Sequence, residues 1–146
     1  MNRNPLIRVC ALLNSAGAEY LVTGAWALIL NSVVRATEDV DILIAAHRAN
    51  YERVIQALSQ LEDGAASELT PQYFEENVVI KVADEVEVDV STQAWTVTYA
   101  EALPNALRVE VDGVQIPYLS IPDLSRSKET YRDQDRAAID RLRRLL

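Results

Sequence analysis

Asp39 and Asp41 stand one residue apart in "EDVDILI", a stretch otherwise composed for a buried strand. Successive strand side chains point to opposite faces, so the two carboxylates project together, roughly 7 Å apart at Cα, with Val40 and Ile42 on the other side. Like charges placed this way either face water or hold something positive. Mg²⁺ prefers carboxylate and water oxygens and commonly joins one or two protein carboxylates to phosphate oxygens of a substrate. Asp89, flanked by Val88 and Val90 in "VEVDVST", is the obvious third acid. Three such carboxylates from two strands can hold two ions about 3.5–4 Å apart, the arrangement that clamps the attacking and leaving oxygens of an in-line displacement. Glu87 shares the face of Asp89 and is the reserve candidate. For a bare D-x-D the alternative is a solvated polar sheet face.

A phosphate-bearing substrate also needs donors and cations. Gly24 ends an extended run, "EYLVTG", and is followed at once by Ala25 and an apolar stretch, so backbone N–H groups can approach a phosphate there with no side chain in the way. A plain tight turn satisfies the same pattern. Near the C-terminus, Lys128, Arg132 and Arg136 are spaced by four, within a region that holds seven of the fourteen Lys and Arg residues. On one helix they form a basic stripe that suits a triphosphate. Ion pairing with Glu129, Asp133, Asp135 and Asp140 along a solvated helix is the competing reading, at about 0.2–0.5 kcal/mol per pair. Arg35 can reach phosphate or brace the acidic pair, and Thr37 can fix the start of the strand. Trp26 and Trp95 fit a core better than a stacking platform.

The elements that would position these residues follow from periodicity and punctuation. "NPLIRVCALLNSAG" predicts a helix with Asn4 as N-cap, Pro5 first and Gly17 as the stop. A short strand over "EYLVTG" leads into a helix over "AWALILNS", and the next strand is "DVDILI". Tyr51, Val54, Ile55, Leu58 and Leu61 recur at helical spacing. Two strands occupy "NVVIKVADEVEVDVST" with "ADE" as the turn, Val86, Val88 and Val90 marking the packed face. Asp112-Gly113 predicts a hairpin. The segment "DGAASELTPQ" reads as a mobile loop, and from about residue 122 the chain reads as one or two helices with Pro122 at the start. The expected architecture is one α/β (α+β) domain over residues 1–146, a mixed, largely antiparallel sheet flanked by helices.

Composition narrows the function. Of 146 residues, 49% are hydrophobic and 25% charged, a globular balance, and the formal net charge of -8 disfavours coating nucleic acid by bulk electrostatics. Apolar runs such as "AWALIL" fall short of a membrane span, and the first residues lack a secretory signal's apolar core, so a cytoplasmic location is expected. One cysteine, Cys10, and one histidine, His47, offer no zinc cluster. Cys10 reads as a packed helix residue and His47 as a surface or helix-capping residue.

Taken in order, "LVTGAWALIL", "VVRATEDVDILI" and "VEVDVST" resemble the nucleotidyltransferase superfamily related to DNA polymerase β. Arg35 and Thr37 ahead of the acidic pair, and the tail with Ile121 to Leu124, Lys128, and Arg132 with Asp135, resemble a subgroup that includes abortive-infection-type toxin nucleotidyltransferases and lincosamide-modifying enzymes. The resemblance implies that Asp39 and Asp41 ligate two Mg²⁺ ions and the triphosphate, that Asp89 completes the catalytic-metal site, and that Gly24 and Ala25 cradle phosphates with help from Arg35, Thr37, Lys128 and Arg132. It also implies transfer of a nucleoside monophosphate from an NTP to a hydroxyl of RNA, protein or a small molecule, with release of pyrophosphate. Ala25 replaces the serine or glycine of many active members, which implies weakened nucleotide binding. A second expectation is therefore a nucleotide-binding module, or one half of a toxin–antitoxin pair acting with a partner protein. A metal-binding phosphohydrolase is the weaker third, because no histidine cluster accompanies the acids.

Overall fold

The computed structural model describes residues 4–30, 39–94 and 96–127. Its first helix, α1 (Pro5–Ala16), begins where the sequence signals it: Asn4 Oδ1 accepts from Leu6 N at 2.8 Å, and the helix closes at Gly17. Strand β1 (Tyr20–Thr23) runs straight into α2 (Gly24–Leu30), and β2 (Val40–Ile44) follows. His47 caps α3 (Arg48–Leu58): its Nδ1 accepts from Asn50 N, while Nε2 lies 2.9 Å from Glu19 Oε1. Tyr51, Val54, Leu58 and Leu61 of the apolar stripe are buried. Each such side chain contributes about 1.5–3 kcal/mol relative to exposure.

The segment expected as a mobile loop is organised instead. Ala65–Glu68 forms a 3₁₀ turn and Pro71–Glu76 a short helix, α4. Phe74 of α4 stacks on Tyr51 of α3 with ring centroids 5.0 Å apart, and Asp84 accepts from the backbone N–H groups of Asp63 at 2.8 Å and Ala65 at 2.9 Å. Partial burial pushes the Asp84 carboxyl up, but those N–H groups, that of Glu85 and the charge of Arg8 together hold it below its ordinary value. Neither short helix is long enough to show a hydrophobic period.

Strands β3 (Val79–Ala83) and β4 (Glu87–Ser91) form the expected pair, with Val86, Val88 and Val90 buried. After α5 (Tyr99–Ala102), β5 (Leu107–Val111) and β6 (Val114–Tyr118) close around Asp112 and Gly113, both at positive φ, a turn that matches strand twist. Helix α6 (Ile121–Ser127) ends the described chain. The six strands make one sheet in the order β3-β4-β2-β1-β6-β5, with neighbours antiparallel, parallel, antiparallel, parallel and antiparallel in turn. This is the mixed, largely antiparallel sheet with flanking helices read from the sequence.

Asn50, fully buried, ties the far end of the central strands together. Its Nδ2 donates to Glu19 O at 3.0 Å and Ala45 O at 2.9 Å, and its Oδ1 accepts from Glu19 N at 2.7 Å. Asn50→Ala strands these backbone groups away from water. The expected loss is roughly 1–3 kcal/mol, seen as a lower denaturant midpoint at unchanged slope.

Candidate active site

Register assembles the site. Thr23 of β1 pairs with Asp41 of β2, Asp41 pairs with Asp89 of β4, and Asp89 pairs with Lys81 of β3. These four residues form one row across four adjacent strands, with side chains on one face and neighbouring strands about 4.8 Å apart. Opposite that face, Val40, Ile42, Val88 and Val90 are buried, so the pleat leaves the acids no way to turn inward. Asp39, two positions before Asp41, lies exposed at the mouth of the row.

Gly24 follows Thr23 directly and adopts φ +65. A Cβ built on it would stand 2.1 Å from Asp41 Oδ2, so the turn and the carboxylate touch. Only a residue without a side chain permits this approach. The beginning of α6 is brought to the same end of β1, because Leu119 N donates to Val22 O at 3.1 Å and α6 contacts α2. Asp123, buried in α6, is hydrogen-bonded by Arg126, a pairing that sequence reasoning did not single out. Trp26 packs against the core, as expected. Arg35, Thr37, Trp95, Lys128 and Arg132 lie outside the described residues, as does the basic stripe, and of Ala25 only the backbone, in α2, is described.

A divalent cation needs oxygen donors that converge on one point. Among the described residues, no three His, Cys, Asp or Glu side chains are arranged to hold a metal ion by themselves. What the fold presents is the in-register pair Asp41 and Asp89, with Asp39 upstream. That suits Mg²⁺, which takes one or two protein carboxylates and completes its octahedron with water and phosphate oxygens. Asp89 Oδ1 is buried and has no hydrogen-bond partner among the described residues. A buried carboxylate oxygen with no donor is costly unless a cation or a proton joins it, so the donor set fits the ion. Lys81, the cation nearest in register, went unnoticed in the sequence, because antiparallel pairing with β4 had to be known before it could be placed beside Asp89.

A family model described as aminoglycoside-2''-adenylyltransferase matches residues 5–143, which takes in the glycine turn, both aspartate strands and the tail. The chain belongs to the aminoglycoside-2''-adenylyltransferase family. Its superfamily is thus the nucleotidyltransferase one that the ordered motifs resemble. Among solved structures, this family member is similar to an antigenic nucleotidyltransferase-like protein from Paracoccidioides brasiliensis, with 19% sequence identity, a TM-score of 0.59 and coverage of 95% of this chain and 74% of that one. At that identity the likeness shows a shared fold. No curated protein matches the chain. No helix among the described residues is long and apolar enough to cross a membrane.

Proposed function

We propose that this protein is an Mg²⁺-dependent nucleotidyltransferase that moves a nucleoside monophosphate from an NTP to a hydroxyl acceptor and releases pyrophosphate. Transfer of a nucleotide is the general activity of its family; the metal, the residue roles and the acceptor are our reading. The observation that carries it is the contact of the Gly24 turn with Asp41, itself in register with Asp89 and that residue's unpartnered buried oxygen.

Asp41 and Asp89 would hold the ion, and Asp39 would add a carboxylate toward the triphosphate and its second ion. Bound there, Mg²⁺ neutralises phosphate charge and acidifies the attacking hydroxyl. Gly24 and Ala25 would present backbone N–H groups to the phosphates, and the loss of a hydroxyl at Ala25 weakens that cradle without removing it. Arg35, Thr37, Lys128 and Arg132 would supply the remaining phosphate contacts. Asp89 would take the acceptor's proton as its oxygen bonds to Pα and the Pα–O bond to the β-phosphate breaks. Because the reaction is mostly positioning and charge neutralisation, a small domain suffices for it.

The family's name points to an aminoglycoside 2''-hydroxyl as acceptor, and we extend that to this chain alongside RNA and protein hydroxyls. The purified protein, given each of the four NTPs with Mg²⁺ and a panel of aminoglycosides, RNA and protein acceptors, is expected to release pyrophosphate with at least one pair. Calorimetric NTP binding with no turnover on any acceptor would instead support the second reading, a nucleotide-binding module or toxin–antitoxin component, which Ala25 favours. Neither binding nor turnover would refute both.

A further inference from the structure

Lys81 stands directly across from Asp89 in the antiparallel β3–β4 pair, and Glu87 stands diagonal to it on the same face. A lysine side chain spans either distance. The structure shows which carboxylate it takes: Lys81 Nζ lies 3.6 Å from Glu87 Oε2, while Asp89 Oδ1 is buried with no hydrogen-bond partner among the described residues. Among the described residues, the cation directly across from Asp89 is held on the neighbouring acid instead.

We propose that Glu87 is a positioning residue that parks Lys81 away from Asp89 and so keeps the Asp41–Asp89 pair open to a divalent cation. The inference rests on the metal-binding reading of that pair. Lys81 is the more exposed partner, with 60% of its side chain accessible against 35% for Glu87, so it is free to swing once its anchor is gone. Without Glu87, its ammonium is expected to settle on Asp89 and compete with the metal for the same oxygen. Glu87 thus acts through Lys81.

The distinguishing property is coupling. If Glu87 and Lys81 act only through their fields, removing Lys81 tightens metal binding by the same factor with or without Glu87. Parking predicts a small effect of K81Q when Glu87 is present and a larger one when it is absent. Mn²⁺ serves as the probe, its binding to the nucleotide-free protein measured by electron paramagnetic resonance for wild type, K81Q, E87Q, K81Q/E87Q and D89N. E87Q is expected to weaken Mn²⁺ binding roughly three- to fivefold, the range of a partly exposed charge pair, and K81Q/E87Q to restore it. Additive effects across the four-member cycle, or an unaltered E87Q, would overturn the proposal. Failure of the underlying reading has a separate signature: D89N then binds Mn²⁺ as wild type does, or the wild type binds none. Both Lys81 and Glu87 are on the sheet's accessible face, and circular dichroism of each variant verifies the fold.

Discussion

Asp41→Asn and Asp89→Asn each reduce kcat/KM for nucleotide transfer on the order of 10²–10⁴-fold, the range for removing a positioned acid–base group. An amide keeps the shape of the carboxylate but cannot balance a divalent charge or accept the acceptor's proton. The two variants separate in stability. Asp89 Oδ1 has no hydrogen bond among the described residues to forfeit, and it shares a row with Asp41 at about one strand spacing. Removing its charge relieves repulsion, so the melting temperature of Asp89→Asn is expected to hold or rise while activity collapses. Steady-state pyrophosphate release and thermal unfolding on the same preparations check both halves. An active Asp89→Asn enzyme ends its assignment as metal ligand and base.

Gly24→Ala is expected to be nearly as damaging, for a steric reason. At φ +65 an alanine costs about 1–2 kcal/mol in the left-handed region, and its methyl would need the place of Asp41 Oδ2, only 2.1 Å away. The carboxylate has to move. A displacement of about 1 Å at a reacting centre costs on the order of 10²-fold in rate. Gly64→Ala supplies the comparison: its φ is +61, but the nearest atom to an added Cβ is Ser59 O at 3.8 Å. Both variants should lose similar backbone stability, and only Gly24→Ala should lose catalysis as well. Equal kcat in the two would mean that the glycine turn plays no part in the site.

Much of this site was readable before the fold was known. Two-residue alternation placed Asp41 on the face away from Val40 and Ile42 and Asp89 on the face away from Val88 and Val90, because strand geometry is local; Asp39 precedes β2. The helix caps at Asn4 and His47 and the Asp112–Gly113 turn are local too, and the structure bears them out. Register between strands is not local. That β4 lies parallel beside β2, with Asp41 against Asp89, depends on everything between them, and so does the placement of Lys81. Asn50 carries no signal of its own in the sequence; its worth comes from two segments it reaches across space. The 3₁₀ turn at Ala65–Glu68 and the helix Pro71–Glu76 were invisible because one or two turns carry no measurable period, and their anchors, Asp84 and Tyr51, are distant in sequence.

The parallel pairing of β2 with β4 carries a kinetic consequence. Parallel neighbours cannot be joined by a short turn, so α3, α4 and β3 must be threaded between Val40↔Val88 and the next rungs of that ladder. Closing so long a stretch of chain has an entropic cost that is recovered only when the ladder zips. The two carboxylates therefore meet only across a long-range joint, and a nascent or partly unfolded chain, however helical, has no competent centre until β4 docks beside β2.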